Sequence, residues 1–475
     1  MVKNIWISVA GFLLATAALQ AADKPNFVII FVDDMGYQDV GCFGSPNIKT
    51  PRLDQMAKEG IRFTSYYAQT VCGPSRAALM TGCYPLRVAT EKNRVEIHPR
   101  LHLKEVTIAE MLKEAGYATA AFGKWDLAGH NDWKYTPGLL PKFQGFDYFF
   151  GTQIWTSAPM KVNILRNTES IKEKVDLNQI TKILTDEAIG FIKRSKDKPF
   201  LVYLAHPMPH VTLYASKQFK GKSAAGIYGD VIEEIDWNVG RIVDTLKAEG
   251  LDEKTYVIFT SDNGPWYLGR SKFHFKRLGK GVEKHGGSAL PLRGAKTSTW
   301  EGGLRVPCII RAPGRVPAGA VCDEIACTMD MMPTLARLAG GKVPDDRVID
   351  GNDITDLMHG VAGAKSQKKA FYYYQQTHLQ AVRVGKWKLH LPGPRHWLGY
   401  FKVEDAIRID KEHLYDLEAD IGERNNVAAQ HPEVVAALMK HVEHARDDIG
   451  DFNRKGKNAR FFDPQPQRPD IKKPK

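Results

Sequence analysis

Residues Asn26–Val32 read NFVIIFV, an almost unbroken apolar run that is rich in valine and isoleucine. Uninterrupted apolar strands of this length are typical of parallel sheets, in which both faces of a strand are buried. Two carboxylates, Asp33 and Asp34, follow directly, at the strand end where ligands gather in such sheets. The run therefore predicts a buried strand with acidic side chains at its carboxyl end.

The same order of helix, strand and polar cluster recurs along the chain. Predicted helices span Val106–Ala115, Leu184–Lys193 and Asp230–Glu249, and predicted strands span Ala118–Phe122, Pro199–Ala205 and Thr255–Thr260. Polar clusters follow these strands at Gly123–Asp126, His206–His210 and Ser261–Gly264. This alternation predicts an α/β fold with a large mixed, mostly parallel sheet flanked by helices. The four polar clusters are then expected to meet at one edge of the sheet.

After about Gly360 the segments become shorter and more strand-like. Predicted strands Phe371–Gln376, Ala381–Leu391 and His413–Leu417 favour a smaller antiparallel sheet, and Pro432–Asp448 has the pattern of an amphipathic helix that begins on proline. We therefore expect a catalytic domain at residues 23–360, an α+β subdomain at 361–450 and a basic, disordered tail at 451–475.

Residues 1–22 have the composition of a signal peptide. Lys3 precedes the mostly apolar stretch Ile5–Leu19, and the small pair Ala21-Ala22 precedes polar sequence. An uncleaved anchor is the alternative, but the stretch is short for a membrane span of about 20 residues. The chain is therefore expected to be secreted or periplasmic after cleavage, without stable membrane insertion. Export permits disulfides among the six cysteines, although spacing alone establishes no pair.

Four polar residues at the predicted strand ends suit a hard cation. Asp33, Asp34 and Asp262 supply carboxylates and Asn263 supplies an amide oxygen, which are ligand types preferred by Ca²⁺ and Mg²⁺ over zinc. An Asp pair after one strand is as easily explained by a turn or a helix cap. The second acidic pair, after a different strand, favours the metal hypothesis.

Cys72 begins a segment with the features of a helix, because Pro74 falls in its first turn and Gly82 at its end. A group at a helix N-terminus meets free backbone N–H donors and the positive end of the helix dipole, which favour an anion such as sulfate. Arg76 follows one turn later on the same face and can reach back. Taken alone, Cys72 is more typical of a buried structural cysteine.

These residues together resemble a known family. The run Cys72-Gly73-Pro74-Ser75-Arg76, followed by Met80-Thr81-Gly82, is similar to the signature of the sulfatases, within the alkaline-phosphatase-like superfamily. In that family the signature is read by a maturation enzyme that oxidises the cysteine to formylglycine (3-oxoalanine). The resemblance continues through Val32–Gly36, Gly123–Trp125, Pro209-His210, Ser261–Gly264, Lys296 with Trp300–Gly303, and Leu414–Leu417.

The resemblance implies a sulfuric ester hydrolase of the arylsulfatase type. It implies that one divalent ion, Ca²⁺ or else Mg²⁺, is held by Asp33, Asp34, Asp262, Asn263 and the modified Cys72. The hydrated aldehyde would attack sulfur with help from Arg76, and its second hydroxyl would later expel sulfate. Lys124 and Lys296 would neutralise the sulfate oxygens, and His210 would protonate the leaving alcohol.

One position departs from the family pattern, which usually reads Gly-Lys-Trp-His. This chain has Asp126 where that histidine stands, and the family histidine helps to deprotonate the hydrated aldehyde during sulfate release. Asp126 or His130 could serve as the base instead, or the release step differs. Asp126 also adds negative charge near an anionic substrate, which a metal ion or a lysine would have to compensate.

The charge distribution points to a polyanionic substrate. The net charge is +12, and the segment Arg270–His285 contains six Lys or Arg against one Glu. This segment lies between Asn263 and Lys296 in sequence, which suits a loop at the mouth of a site. A sulfated polysaccharide fits it better than a small aryl sulfate. Nucleic acid fits less well, because the chain has an export signal and no nucleic-acid-binding motif.

Two other functions remain open from the sequence. A phosphodiester or phosphonate hydrolase could use the same nucleophile, because sulfate and phosphate esters are similar tetrahedral anions. A catalytically silent protein that binds sulfated glycans is the other alternative, and Asp126 is the only residue that favours it.

Overall fold

The first predicted strand, β1 (Asn26–Val32), lies in the middle of the largest sheet. Its side chains alternate between two hydrophobic cores, with Phe27, Ile29 and Phe31 in one and Val28, Ile30 and Val32 in the other. Because successive side chains of a strand point to opposite faces, both faces of the sheet are covered here. The prediction of a strand buried on both sides is confirmed.

The computed structural model describes residues 24–88, 100–129, 135–154, 162–171, 175–266, 286–393 and 409–460. The strands that follow β1 in its first part are β2 (Ile61–Phe63), β3 (Tyr66–Tyr67), β4 (Ala118–Lys124), β5 (Tyr148–Thr152), β6 (Leu165–Arg166), β7 (Glu169–Ser170), β8 (Phe200–His206), β9 (Thr255–Ser261), β10 (Cys308–Arg311), β11 (Ala320–Cys322) and β12 (Ala326–Cys327). The α-helices in this part are α1 (Pro51–Lys58), α2 (Cys72–Thr81), α3 (Ile108–Glu114), α4 (Ile180–Arg194), α5 (Gly226–Ala248), α6 (Glu301–Leu304), α7 (Met331–Ala339) and α8 (Thr355–Met358).

The large sheet has the strand order β11-β2-β10-β9-β1-β8-β4-β5-β6-β7. Its central strands β9, β1, β8, β4 and β5 are parallel to one another. Strand β10 is antiparallel to β9, and β6 is antiparallel to β5. The sheet is therefore mixed and mostly parallel, as the alternation of helices and strands predicts.

Helices cover both faces of this sheet. Helices α1, α4 and α5 contribute to the core that contains Val28, and helices α2, α3 and α7 contribute to the core that contains Phe27. Helix α5 packs through the stripe that predicts it, because residues such as Ile235 and Val239 are fully buried. The result is a three-layer α/β architecture whose central strands all end at the same edge.

The C-terminal part forms a second, smaller sheet. Its elements are β13 (Phe371–Gln375), β14 (His378–Val384), β15 (Trp387–His390), β16 (His413–Asp416), helix α9 (Pro432–Asp448), β17 (Gly450–Asp451) and β18 (Arg454–Lys455). Strands β13 to β16 are antiparallel in sequence order. The single strand expected at Ala381–Leu391 is wrong, because Gly385 adopts a φ of +55° and turns the chain between β14 and β15. A left-handed glycine of this kind favours a tight turn.

The predicted start of the tail also needs correction. Residues 450–455 form the β17–β18 hairpin, and the Arg460 side chain binds the buried Glu105 carboxylate at 3.1 Å. The ordered C-terminal region therefore extends at least to Arg460, because these contacts tie it to the rest of the chain. The expectations for residues 1–22 and for the rest of the tail lie outside the described residues. Among the described helices, none combines the length and apolar character that crossing a membrane requires.

Candidate active site

The predicted polar clusters meet at one edge of the large sheet. Strands β9, β1, β8 and β4 are adjacent and parallel, so the residues that follow them lie side by side. Lys124 Nζ, at the end of β4, lies 2.8 Å from Asp33 Oδ2 after β1. Asn263 Nδ2, after β9, donates to Asp34 Oδ1 at 2.7 Å. The structure thus brings together residues such as Asp34 and Asn263, which are 229 positions apart in sequence, as expected from the strand pattern.

Cys72 is the first residue of α2 and is buried in the middle of this cluster. Its Sγ atom lies 3.1 Å from Asp33 Oδ1 and 3.1 Å from Lys296 Nζ. The start of the helix is fixed because the Gln69 N–H donates to Ser75 Oγ at 2.7 Å, and the Ser75 hydroxyl donates to the Asp262 carbonyl. Gly82 ends the helix in a left-handed conformation with a φ of +68°.

Burial raises the pKa of the Cys72 thiol well above its usual range, and the neighbouring Asp33 raises it further. Lys124 and Lys296 oppose this shift without cancelling it. The unmodified side chain is therefore a neutral thiol at neutral pH, and the thiolate is the nucleophilic form of cysteine. These surroundings do not activate an ordinary cysteine nucleophile.

Arg76, which lies in the same helix as Cys72, contacts three of the converging segments. Its Nη2 atom lies 2.8 Å from Asp262 Oδ2 and 3.7 Å from Asp33 Oδ2. Its Nη1 atom donates to the Lys124 carbonyl at 2.9 Å, and the guanidinium group is fully buried. The Tyr203 hydroxyl in the middle of β8 lies 3.3 Å from the same Nη1 atom. No sequence motif predicts this contact.

Lys296 reaches the cluster from a loop between β9 and α6. Its Nζ atom lies 2.5 Å from Asp34 Oδ1 and 3.1 Å from Cys72 Sγ. The face of Trp266 lies beneath this ammonium group, with Nζ 4.9 Å from the ring centroid, a favourable cation–π arrangement. Lys296, Lys124 and Arg76 therefore surround Cys72 with positive charge, which suits an anionic substrate.

His210 follows β8 in sequence and lies beside Asp34. Its Nε2 atom is 3.6 Å from Asp34 Oδ2, and Nδ1 contacts the Val211 carbonyl. Burial lowers the pKa of His210 to about 4, against the opposing effect of Asp34. The Trp266 ring packs edge-on against it at 5.2 Å. Trp266 thus contacts both Lys296 and His210, and sequence reasoning missed it although it lies only two residues after the Ser261–Gly264 cluster.

His206 is the last residue of β8 and has a different environment. It is fully buried, neither ring nitrogen has a hydrogen-bond partner among the described residues, and burial lowers its pKa to about 3. A neutral, enclosed imidazole of this kind belongs to the core rather than to the reacting surface.

The oxygen atoms of the site fit a hard cation. Ligand atoms of Asp33, Asp34, Cys72 and His210 lie within 4.8 Å of one another. Asp34 Oδ2 and Asn263 Oδ1 are buried and make no hydrogen bond with the described residues. Burial and the neighbouring Asp33 raise the pKa of Asp262 above its usual range, although Arg76 opposes them. Crowded carboxylates with unpaired buried oxygens are what a divalent ion compensates.

Asp126 lies beside Lys124, at the end of β4. Its Oδ2 atom is 3.5 Å from Lys124 Nζ, and its backbone adopts a φ of +60°. Lys124 thus provides the positive charge that the sequence requires for this carboxylate. The other sequence candidates near the mouth of the site, His130 and the basic segment Arg270–His285, lie outside the described residues.

Comparison with known proteins agrees with this geometry. A family model described as Sulfatase matches residues 25–341, and one described as the C-terminal region of aryl-sulfatase matches residues 366–468. Steryl-sulfatase of Homo sapiens is 32% identical over 450 residues, covering 78% of this chain and 76% of that protein. N-acetylgalactosamine-6-sulfatase of Rattus norvegicus is 38% identical over 405 residues, covering 80% of this chain and 73% of that protein.

One similar solved structure comes from work on the metabolism of multiple glycosaminoglycans by Bacteroides thetaiotaomicron. It superposes with a TM-score of 0.75 at 29% identity and covers 89% of this chain and 99% of that chain. The similarity therefore extends over the α/β domain and the smaller C-terminal sheet together.

Proposed function

The chain belongs to the sulfatase family of the alkaline-phosphatase-like superfamily and hydrolyses sulfate esters, and we propose that it does so with a formylglycine made from Cys72. The observation that carries this proposal is the position of Cys72 Sγ, which lies at a helix N-terminus within 3.1 Å of both Lys296 Nζ and Asp33 Oδ1. A nucleophile at this position lies where positive charge favours the substrate anion, and it also lies beside the Asp33 carboxyl group, which influences its protonation.

The modification replaces the buried Cys72 thiol, which is neutral and therefore a weak nucleophile. A maturation enzyme that consumes an external oxidant would convert the CH₂–SH group of Cys72 into an aldehyde with loss of sulfur. Addition of water then gives a carbon atom that carries two hydroxyl groups. One hydroxyl can attack the substrate, and the second makes the resulting adduct breakable, which an unmodified Ser or Cys adduct would not be.

In the first half of the reaction, one hydroxyl of the hydrated aldehyde loses its proton to solvent water, an ionisation that the positive charge of Arg76 favours, and its oxygen attacks sulfur. The bond between sulfur and the alcohol oxygen breaks, and the alcohol leaves with a proton from His210. Because burial lowers the pKa of His210 to about 4, the imidazole has to take up that proton from solvent when the negatively charged sulfate ester binds beside it. Lys124 and Lys296 neutralise the oxygens of the transferring group, and the buried Arg76 orients the nucleophile. In the second half, the remaining hydroxyl loses its proton to Asp126, the aldehyde C=O re-forms, and sulfate departs.

Asp33, Asp34, Asp262 and Asn263, with the modified Cys72, would hold one Ca²⁺ or Mg²⁺ ion. The support is the set of buried oxygens on Asp34 and Asn263 that make no hydrogen bond with the described residues. A bound ion would supply positive charge that favours ionisation of the attacking hydroxyl. His210 also belongs to the compact group of potential ligand atoms, but its imidazole is assigned here to proton transfer.

The proposed substrates are sulfated polysaccharides or oligosaccharides. The basic segment Arg270–His285 and the similarity to a sulfatase named for N-acetylgalactosamine 6-sulfate support this class.

We expect higher kcat/KM on defined sulfated oligosaccharides than on steryl sulfate or para-nitrophenyl sulfate. A preference for steryl sulfate would overturn the glycan assignment, and a preference for the phosphate counterpart of a sulfate ester would favour phosphoester hydrolysis instead.

The cellular setting is proposed from the sequence. Cleavage near residue 22 would release the mature protein outside the cell or into the periplasm, where sulfated glycans are encountered. We propose functional regions at 23–360 and 361–450, with the second region continuing into the ordered residues up to Arg460.

His210→Ala is expected to slow hydrolysis according to the leaving group. A poor leaving group, such as a sugar hydroxyl, needs the proton, so its kcat should fall by about 10²- to 10³-fold. Para-nitrophenol leaves readily as an anion, so its sulfate should lose less than about 10-fold. Steady-state rates on both substrates measure the difference. Equal losses on the two substrates would show that His210 contributes to binding and not to proton donation.

Asp126→Asn is expected to block sulfate release more than sulfate transfer. The first turnover should then appear as a burst of released alcohol, followed by a steady rate lowered by about 10- to 100-fold. Asn and His both tolerate the left-handed backbone at this position, so Asp126→His is the matched variant and should retain steady turnover. Rapid-quench kinetics measure the burst. A uniformly slower reaction without a burst in Asp126→Asn would exclude Asp126 as the base for release.

A further inference from the structure

Lys296 is carried by a tightly closed loop, residues 293–303, which is called the lysine loop here. The Gly302 N–H donates to the Arg293 carbonyl at 2.7 Å, and the Gly303 N–H donates to the Trp300 carbonyl at 2.9 Å. A Cβ atom at Gly303 would lie only 2.0 Å from the Ser298 carbonyl oxygen. Because the loop is packed this closely against itself, a displacement of one part moves the rest.

The C-terminal sheet binds this loop through a buried ammonium group. Lys388, on β15, donates from Nζ to the Thr299 carbonyl at 2.8 Å and to Glu301 Oε1 at 3.0 Å. The same Nζ atom lies 2.8 Å from Glu423 Oε1. The side chains of Lys388, Glu301 and Glu423 are all 0% exposed. Lys388 of the smaller sheet therefore contacts the lysine loop at two residues, Thr299 and Glu301.

Glu423 secures the same loop from a second direction. Its Oε2 atom accepts a hydrogen bond from the Glu301 N–H at 2.7 Å, and its carbonyl accepts one from Arg293 Nη1 at 2.8 Å. Another C-terminal contact comes from Gln380, whose Oε1 atom accepts from the Thr299 hydroxyl at 2.9 Å. The C-terminal region thus contacts the lysine loop at Arg293, Thr299 and Glu301, through Glu423 and through the sheet residues Gln380 and Lys388.

The front of the loop is coupled to the reacting centre. The Lys296 N–H donates to the Pro265 carbonyl at 3.1 Å, and the Thr297 N–H donates to the Thr70 carbonyl at 2.8 Å. Thr70 precedes Cys72 by two residues, and Lys296 Nζ lies 3.1 Å from Cys72 Sγ. A continuous set of short contacts therefore runs from Lys388 to the side chain that faces Cys72.

Stability alone does not account for such a cluster. Burying an ammonium group and two carboxylates carries a desolvation cost that their attraction only partly offsets, and apolar replacements are often as stable. Directional hydrogen bonds from a buried charge do, however, restrict geometry closely. The buried cluster of Lys388, Glu301 and Glu423 is better explained by a role in holding the lysine loop in position.

We propose that Lys388 is a positioning residue for sulfate ester hydrolysis, which holds the lysine loop through Thr299, Glu301 and Glu423 so that Lys296 Nζ remains beside residue 72. This inference rests on the proposed role of Lys296 in neutralising the sulfate group. The smaller sheet is thereby part of the catalytic apparatus, although none of its residues has been assigned a contact with the reacting atoms.

A double-mutant cycle between Lys388 and Lys296 tests the inference. In the otherwise native protein, Lys388→Met should lower kcat/KM on para-nitrophenyl sulfate by on the order of 10- to 100-fold, as expected when a binding group is displaced. In a Lys296→Ala background, the same change should cost less than about 2-fold, because the displaced group is already absent. Rates are normalised to the fraction of residue 72 that mass spectrometry finds as formylglycine. Equal losses in both backgrounds would overturn the inference, as would no loss in either.

Two further variants separate positioning from folding. Arg311→Met removes another buried cation, bound to Glu59 and Asp252 near the opposite end of β9, and should leave normalised kcat/KM within about 2-fold. If Lys388→Met does not fold, the cycle is run with Glu423→Gln, which removes the negative charge that Lys388 Nζ binds at 2.8 Å and keeps a side chain of nearly the same shape. This variant should cost about 3-fold alone and nothing beside Lys296→Ala; equal costs in both would overturn the inference. Full activity in Lys296→Ala alone would instead refute the proposed role of Lys296.

Discussion

Cys72→Ala is expected to abolish sulfate ester hydrolysis, with a loss in kcat on the order of 10⁶-fold, as found when an enzyme loses its nucleophile. Alanine can be converted neither into an aldehyde nor into a hydrated aldehyde, so no oxygen is available to attack sulfur. The fold should persist, because Cys72 begins α2 without providing its cap and Ser75 fixes the start of the helix. Steady-state rates on para-nitrophenyl sulfate and a sulfated oligosaccharide, with circular dichroism as the folding control, measure the effect.

Cys72→Ser is the matched control, because it keeps one oxygen nucleophile but lacks the second hydroxyl. In a host that does not oxidise serine, it should accept one sulfate group and stop, which mass spectrometry would detect as the addition of one SO₃. Retained turnover in a clean Cys72→Ala preparation would refute the assigned nucleophile. Finding only unmodified Cys72 in protein from the native host would favour a silent glycan-binding protein.

Removal of divalent metal is expected to lower kcat by on the order of 10³-fold, since a bound ion supplies several kcal/mol of charge stabilisation. Asp33, Asp34 and Asp262 crowd negative charge around residue 72, and the pKa of Asp262 is raised first by burial and then by the neighbouring Asp33. Chelation should therefore also lower the thermal unfolding temperature, because the carboxylates then repel one another. Activity and unfolding temperature are measured after chelation and after adding back Ca²⁺ or Mg²⁺.

Two buried aspartates provide the comparison for this experiment. Asp34→Asn should have low activity that chelation hardly changes, because the site is already weakened. Asp236 accepts hydrogen bonds from the Arg52 and Leu53 N–H groups, away from the cluster, so Asp236→Asn should respond to chelation as the native protein does. Undiminished activity in protein from which metal analysis finds the ions removed would contradict the proposed metal site.

The sequence predicts the parts of the site that follow from periodicity. The apolar run before Asp33 and the helix–strand alternation that ends at Lys124 and Asp262 are enough to indicate a parallel sheet with one reactive edge. Arg76 is also predictable, because helical spacing places it on the same face as Cys72. These features depend on residues close together in sequence, or on the rule that parallel strands end at one edge.

Contacts between distant segments are harder to predict. Nothing near Glu301 indicates that its carboxylate binds Lys388, or that the Glu423 carboxylate accepts its N–H group, because these contacts depend on how the two sheets pack. Trp266 and Tyr203 are missed for the same reason. The turn at Gly385 is missed because the apolar pattern continues through it, and only the positive φ of this glycine separates β14 from β15.

The burial of Cys72 and Arg76 constrains the order of events during synthesis. In the folded chain these residues are 1% and 0% exposed, and the Arg76 guanidinium is committed to Asp262 and to the Lys124 carbonyl. An enzyme that recognises the Cys72–Arg76 signature therefore cannot bind this segment after the large sheet has assembled. Maturation as proposed has to take place on the newly made, still unfolded chain, so folding and oxidation compete for the same segment. A chain that folds first is locked into the inactive thiol form.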